Sequence, residues 1–544
     1  MRTKRRRFDS YPGSQYVDQQ TTQKTQKTSR PPGACTVTDP ENAAVHETRG
    51  EAPAAVVLLA AGSGTRMKSK LMKVLHPICG RSMIGHVIAA SRALDPEHLV
   101  AVVGNQREQV TPHILEQVPD AVIAVQETQD GTGHAVRVAV EALQAKAGAT
   151  RGTVVVMFGD TPLLEGETVA GLVADHAGSG RALTILTAEV ESPFGYGRIV
   201  RDASGDVAAI VEQKDATPEQ AAITEINSGI FAFDGAFLAD AVTRITNDNA
   251  KGEYYLTDVV TIARDQGRSV GAYSIDDVMQ TEGANDRAQL AGLGAELNRR
   301  ILTRWMREGV TVVDPATTWV DATVELSRDV TLRPGVQLHG VTRVGEDAVV
   351  GPDTTLTDVV VGAGASVVRT HGSEAVIGAG ATVGPFSYLR PGTVLGDRGK
   401  IGGFVETKNA LIGDGAKVPH LSYVGDAEIG GGTNIGAGTI FANYDGVAKH
   451  RTTVGRDART GSNNTFVAPV EIGDGAVTGG GTVVRRDVPP GALAVSAGPQ
   501  RNIEEWVIRR RPGTAAAEAA QSALEERASS HNDGSRVAPD TTPE

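Results

Sequence analysis

IGAGATVGPFSYLRPGTVLGDRGKI, residues 377–401, places an aliphatic side chain at every sixth position: Ile377, Val383, Leu389, Leu395 and Ile401. The same interval returns in Val454, Thr460, Phe466, Ile472, Thr478 and Val484. Between about Val344 and Val484 the segments VGEDAV, VGPDTT, VGAGAS, IGAGAT, IGDGAK, IGGGTN and IGDGAV share one pattern, an aliphatic residue, then Gly, then small or polar positions. A period of six fits neither the 3.6-residue face of a helix nor the alternation of a strand. It fits a parallel β-helix, in which each hexapeptide forms one short flat side and its aliphatic residue points into the coil. Gly, Asp and Asn after the aliphatic position suit tight corners, where φ is often positive. The stacked aliphatics make one continuous core, so such a coil needs many repeats, and this region supplies them.

Composition bounds the rest. A chain of 544 residues predicts two to four domains. Its 64 glycines are roughly twice what average usage of about 7% gives, and the hexapeptides are a main reason. Aromatics are only 4%, as expected where small and β-branched residues fill a narrow coil. Two cysteines, Cys35 and Cys79, form no disulfide framework and no ligand cluster, which points to a reducing compartment. The net charge of -12 argues against nucleic acid as a general partner. No apolar run is long enough for membrane insertion, and the basic opening MRTKRRRFDS lacks the apolar stretch of a secretory signal. The chain reads as soluble and cytoplasmic.

Residues 1–52, rich in Thr, Gln, Arg, Pro and Ser, are expected to be a disordered extension, with KRRR a solvated basic cluster. From Ala54 the character changes. AAVVLLAAG, HLVAVVG, AVIAVQ, TVVVMFGD and LTILTAEV are short apolar runs, and VRVAVEALQAKAG has helical spacing closed by Gly. Strands alternating with helices predict a Rossmann-like α/β domain over 53–282, with a mostly parallel sheet covered on both faces. Leu290, Leu293, Leu297, Ile301 and Trp305 recur at three- and four-residue intervals, so residues 283–308 read as one amphipathic linker helix. Asn285 or Asp286 is its N-cap. The coil domain is expected over 309–510. After about Val484 the period fails, and 511–544 reads as a helical segment followed by a disordered end from SSHNDG onward.

The first strand runs directly into AAGSGTRM. Ligands of open α/β sheets bind beyond the carboxyl ends of the strands. Gly62 and Gly64 let backbone amides approach phosphates, and Arg66 adds a fixed cation. The string is neither a P-loop nor GxGxxG. LAAGSGTRM with Lys73 resembles the signature of sugar-1-phosphate nucleotidylyltransferases, and the resemblance continues through QETQDGTGHA, FGDTPLL, GYGRIV, IVEQKDAT, EINSGI and NDNAKGEYYLTD. Joined to a hexapeptide coil, residues 55–510 resemble the bacterial bifunctional N-acetylglucosamine-1-phosphate uridylyltransferase and glucosamine-1-phosphate N-acetyltransferase family.

That resemblance implies a site for each half. Asp160 and Asn285 would be the Mg²⁺ ligands, few in number because Mg²⁺ takes its remaining ligands from phosphates and water. The cap reading of Asn285 competes with this role. Arg66 and Lys73 would neutralise the triphosphate while the sugar phosphate attacks the α-phosphorus of UTP, chemistry that depends on positioning and charge. Leu59, Ala60, Ala61, Gly62, Phe158 and Gly159 would line the nucleotide site. Gln126, Gly131 and Thr132 resemble the uracil-reading segment, and Gly197, Glu212 and Asn227 the sugar-binding groups. Met72 stands where the family commonly has Pro, which alters loop stiffness more than chemistry.

In the coil, SYLRPG, GGFVETK, KVPHLSYVGD, TNIGAGT and FANYDG break the period, and such breaks mark functional edges. His420, within HLSYVGD, resembles the base that takes a proton from the glucosamine-1-phosphate amine as it attacks acetyl-CoA, a role suited to an imidazole of pKa about 6.5. Arg390 and Lys408 resemble the cations on the sugar phosphate, and Tyr423 and Asn434 the groups on the sugar. Ala437, Asn443, Tyr444, Ser462, Gly480 and Ala497 align with the acetyl-CoA groove. Gly480 is often Ala in the family. Ala497 stands where some members carry Arg, so either another cation such as Arg501 substitutes or CoA is held more weakly. The resemblance further implies a left-handed coil, a homotrimer with acetyl-CoA between chains, and a product, UDP-N-acetylglucosamine, that feeds peptidoglycan and lipopolysaccharide synthesis. Two other readings stand beside it: a single-function nucleotidylyltransferase with a structural or regulatory coil, as in glucose-1-phosphate adenylyltransferases, and a nucleotide-sensing scaffold with a dead site.

Overall fold

The computed structural model describes residues 52–533 apart from Ala250, Ala497 and Pro499. Residues 1–51 and 534–544, and with them all but the inner edges of the disorder expected of the two tails, lie outside the described residues, as does Ala497.

The α/β part is built on a nine-stranded sheet. Its main path runs Val270–Ile275, Leu183–Glu189, Glu225–Asp234, Thr153–Phe158, Ala55–Leu59, His98–Val103 and Val122–Val125. All neighbours on this path are parallel except Glu225–Asp234, which is antiparallel to both of its own. A ribbon, Gly197–Arg201 with Val207–Val211, pairs onto that strand. Burial on both faces explains why the first strand is apolar throughout. Ala55 and Val57 pack with helices Thr132–Ala147, Gly235–Arg244 and Val259–Asp265, whereas Val56 and Leu58 pack with Met83–Arg92, Arg107–Gln117 and Gly166–His176.

The coil is a stack of parallel rungs in a seven-stranded and a seventeen-stranded sheet, the architecture of a left-handed parallel β-helix. Val312, Leu332, Val350, Val367, Val383, Ile401 and Val418 pair in one inward column, and all are buried. Each turn therefore spends about three hexapeptides. The rungs begin at Thr311–Val312, well before the Gly-marked repeat becomes visible at Val344. Asp329 in these early turns, and Asp347, Asp353 and Asp358 just after Val344, hold left-handed corners, with φ of 62°, 59°, 49° and 56°. Asp tolerates that region better than most residues, and Asp358 Oδ1 accepts from the Val341 amide at 2.9 Å, one turn back along the coil. The coil also outlasts Val484, since Leu493–Ala494 pairs with Val477–Thr478. Helices Trp506–Arg510 and Ala515–Asp533 follow, so the disordered end expected from residue 529 is helical as far as Asp533.

The linking helix, Arg287–Arg307, divides its apolar face between two cores. Leu290, Leu293 and Leu297 pack against Ile78, Met83 and Leu163, whereas Ile301, Leu302 and Trp305 join the first turns of the coil. Buried Asn298 donates to the Thr318 carbonyl (2.8 Å) and accepts from the Val320 amide (3.0 Å), which fixes the helix to those turns. A hairpin adds a second tie, as the Ala322 amide donates to the Cys79 carbonyl at 2.9 Å. Asp286 is the N-cap, its Oδ1 accepting from the amides of Ala288 and Gln289 at 2.9 Å each. Asn285 is thereby released from capping.

Candidate active sites

Gly64 determines where the first cation stands. Its φ is +59°, and a Cβ there would lie 2.5 Å from the Lys73 Cβ, so only Gly admits Lys73 to this place. Lys73 Nζ ion-pairs with Asp160 Oδ2 and donates to Asn285 Oδ1 at 3.3 Å. Arg66 donates to the same Asn285 oxygen at 2.9 Å. Two hard oxygen donors from distant parts of the chain thus converge on one cation. Gly283 lies against Asp160, where a Cβ would come 3.2 Å from Oδ2. The donor chemistry and the bare glycine floor suit a divalent cation held by Asp160 and Asn285, with Lys73 turning to phosphate. Among the described residues, no cluster of three or more His, Cys, Asp or Glu offers a richer metal site.

Around this centre the strand ends are tied together. The Ala60 amide donates to the Val102 carbonyl and the Gly159 amide to the Leu59 carbonyl, both at 2.9 Å. Gln129 holds the Ala61 carbonyl at 2.6 Å, and nothing lies within 4 Å of where a Gly62 Cβ would stand. Phe158 packs on Gly229, where a Cβ would come within 2.1 Å of its ring. The segment expected to read a base is closed on itself. Buried Gln126 donates to the Gly131 carbonyl at 3.1 Å, and Thr132 Oγ1 accepts from the Leu256 amide at 3.1 Å. Gly197, Glu212 and Asn227 converge as well: a Cβ on Gly197 would be 3.6 Å from both Glu212 Oε1 and Asn227 Cβ. Burial raises the Glu212 pKa above the usual carboxylate value.

In the coil, His420 occupies a corner between two faces and is exposed. Three backbone bonds stack that corner upward. The Gly438 amide donates to the His420 carbonyl, the Asn463 amide to the Ala437 carbonyl and the Gly481 amide to the Ser462 carbonyl, at 3.2, 2.7 and 2.8 Å. His420, Ala437, Ser462 and Gly480 therefore form one column on successive turns. Beside it, Arg390 pairs with Glu406 at 2.9 Å. Glu406 is opposite Tyr423, and Lys408 is opposite Gly425. A Cβ on Gly425 would meet the Tyr423 hydroxyl at 2.4 Å and Asn443 Nδ2 at 2.8 Å, so Gly425 lets these two groups meet. Tyr444 is exposed and starts an excursion held by the Asp445–His450 pair at 2.7 Å. Asn434 is not on this face. It bridges Lys417 and Arg459 on the other side of the corner.

Sequence reasoning missed three groups. Lys449 stands beside Lys408 and, as a neighbouring positive charge, lowers the Lys408 pKa. The signal was available, since Lys449 lies in the longest break of the period, FANYDGVAKH. Asp426 binds both Asn409 and Asn443 through its carboxylate oxygens. Tyr196, next to Gly197, donates to Glu282, a contact no spacing foretells.

The fold and the first site define a nucleotidyltransferase domain fused to a hexapeptide-type coil. The MobA-like NTP transferase domain family matches residues 56–221. Along most of its length the chain is similar to proteins named bifunctional protein GlmU. It is 58% identical over 479 residues to that of Kineococcus radiotolerans (88% of this chain, 97% of the relative). It is 61% identical over 476 residues to that of Rhodococcus jostii (86% and 95%), and 59% identical over 475 residues to that of Streptomyces coelicolor (87% and 98%). The chain belongs to the bifunctional GlmU family.

Proposed function

We propose that this enzyme makes UDP-N-acetylglucosamine in two steps, N-acetylation of glucosamine-1-phosphate by acetyl-CoA and then uridylyl transfer from UTP. Residues 53–282 are the uridylyltransferase domain, 283–308 the linker, 309–510 the acetyltransferase domain built on the coil, and 511–544 a tail. The observation that carries the first activity is the convergence of Asp160, Asn285, Lys73 and Arg66 at the carboxyl edge of the sheet.

In the coil the glucosamine-1-phosphate phosphate binds Arg390, Lys408 and Lys449, and Tyr423 orients the ring. His420 takes a proton from the amine. The amine nitrogen attacks the thioester carbonyl, the C–S bond breaks, and CoA leaves as its thiol after protonation. The column of Ala437, Ser462 and Gly480 gives the pantetheine arm a path, with Asn443 and Tyr444 at its side. Arg501 is exposed in the described chain and is the candidate for CoA phosphate in place of Ala497.

In the α/β domain the acetylated sugar is held by Gly197, Glu212 and Asn227. Its phosphate oxygen attacks the α-phosphorus of UTP in line, the bond to the β-phosphate oxygen breaks, and pyrophosphate leaves. Arg66 and Lys73 stabilise the charge that builds on the phosphates. Mg²⁺, held by Asp160 and Asn285, supplies Lewis-acid charge neutralisation when bound. Gln126, Gly131 and Thr132 read the uracil.

The acetyl site is completed in a homotrimer. Two features support this: Asn434 stands across the corner from Lys408 and Tyr423, and Val360, Val376, Val394 and Leu411 form an exposed apolar ladder on the coil. The enzyme acts in the cytoplasm on small-molecule substrates, and its net charge of -12 argues against a nucleic-acid partner; among the described residues no helix is long and apolar enough to cross a membrane. Product analysis with glucosamine-1-phosphate, acetyl-CoA, UTP and Mg²⁺ tests the reading. His420→Ala should form no UDP-N-acetylglucosamine until N-acetylglucosamine-1-phosphate is supplied. A wild type that uses only the pre-acetylated substrate would leave the coil with a structural or regulatory role.

A further inference from the structure

One contact joins the sugar side of the uridylyl site to its cation side. The Tyr196 hydroxyl donates to Glu282 Oε1 at 2.6 Å. Tyr196 immediately precedes Gly197 in the turn between Leu183–Glu189 and Gly197–Arg201. Glu282 belongs to the strap that runs from Val270–Ile275 to the linking helix, and it directly precedes Gly283, which lies on Asp160, and then Ala284 and Asn285.

Each side of the contact is braced separately. Arg198, only 2% exposed, binds the Tyr196 carbonyl and donates to Gln213 Oε1 at 2.7 Å. The same Gln213 oxygen accepts from the Gly195 amide at 3.0 Å. On the strap, Gln280 Oε1 accepts from the Glu165 amide at 3.2 Å, and Arg300 pairs with Asp277 and Glu165 at 2.8 and 3.0 Å. The Tyr196–Glu282 bond is where these two braced pieces meet. The outer side of the turn is unpacked. Gly195 has φ +95° with nothing within 4 Å of a built Cβ, and Phe194 is 81% exposed. Burial and the Glu282 carboxylate raise the Tyr196 pKa well above its ordinary value, so the hydroxyl remains a donor.

We propose that Tyr196 and Glu282 are positioning residues that link the sugar turn to the Asp160–Asn285 pair, so that sugar and divalent cation each strengthen binding of the other. The inference rests on the uridylyl-transfer reading and deepens it. A sugar seated on Gly197, Glu212 and Asn227 fixes the turn, and Tyr196 then fixes Glu282 and keeps Asn285 at its working distance from Asp160. Without the bond the two pieces move independently. Coupling of this kind is reciprocal between the two ligands.

The test uses full-length protein and Mn²⁺ as the probe, with free ion counted by electron paramagnetic resonance in saturating UDP or saturating UDP-N-acetylglucosamine. In wild type the sugar nucleotide should tighten Mn²⁺ binding about tenfold relative to UDP, a typical size for such coupling. Tyr196→Phe should abolish that difference while leaving Mn²⁺ affinity in UDP, and acetyl transfer, unchanged. Glu282→Gln, whose amide oxygen still accepts from the tyrosine, should retain the difference. The proposal is overturned if Tyr196→Phe keeps the sugar effect, or if its Mn²⁺ affinity in UDP falls equally. A wild type that binds neither nucleotide with Mn²⁺ would overturn the reading of the site itself.

Discussion

Phe466 is the most informative place to disturb the coil. Its side chain is fully buried, meets Phe441 edge-on at a centroid distance of 5.0 Å, and lies in register with Phe441 below and Val484 above. Truncating a buried Phe to Ala costs about 3–5 kcal/mol, which already includes the cavity, and the edge-on pair adds about 1 kcal/mol. Phe466→Ala should therefore cost about 4 kcal/mol. In a solenoid each turn contacts only its neighbours, so this loss falls on the turns that carry Asn443, Ser462 and Gly480. At about 2–4 °C per kcal/mol, the midpoint for heat inactivation of acetyl transfer should drop by about 8–16 °C. Uridylyl transfer from pre-acetylated substrate should be nearly unaffected. The assay is residual activity of both reactions after graded heating of one sample. Equal loss of both activities would refute the locality argument, because it would mean that coil and α/β domain unfold as one unit.

Other expectations are as direct. Lys449→Gln should raise the KM for glucosamine-1-phosphate about tenfold, the order expected for one lost charge-assisted contact. It should also move the alkaline rise in that KM to higher pH, since Lys449 holds the Lys408 pKa down and its removal lets Lys408 keep its proton longer. Gly64→Ala forces a Cβ to 2.5 Å from Lys73 Cβ at a left-handed φ. A displacement of that order should cost about a hundredfold in uridylyl kcat with acetyl transfer intact. Burial lowers the His86 pKa to about 4. As pH falls from 6.5 towards 4 the unfolded chain binds a proton that native His86 refuses, so stability should decline by about 3 kcal/mol over that window. Urea unfolding at pH 7.5 and 4.5 should show a smaller decline in His86→Gln.

The coil was legible because a six-residue period has no other common structural meaning, and the α/β domain because apolar runs alternated with helical spacing. The boundary at 309 was legible too, although the repeat is fainter before Val344, where Asp329 holds with φ 62° a corner that later turns give to Gly, as Gly380 does with φ 63°. At the sites, motif strings placed Lys73, Asp160 and Asn285 because each lies in a distinctive local sequence. Whether Asn285 or Asp286 capped the helix was open in sequence and is decided by geometry, with Asp286 on the amides. Tyr196 and Glu282 were invisible, since a hydrogen bond between residues so far apart leaves no pattern in spacing. Asn434 was grouped with Lys408 and Tyr423, yet it stands on another face, because a one-dimensional string does not record which side of a corner a rung occupies.

The linking helix has a consequence for how this chain can change length. Leu293 serves one core and Ile301 the other, and Asn298 between them is bonded to the coil. One inserted residue between Leu293 and Ile301 would advance the helix about 1.5 Å and rotate everything after it by about 100°, turning one apolar stripe into solvent. Seven inserted residues restore the phase to within about 20°. The spacing between the two catalytic units is thus quantised in pairs of helical turns, whereas the coil itself can grow by single turns, each bringing its own set of core residues.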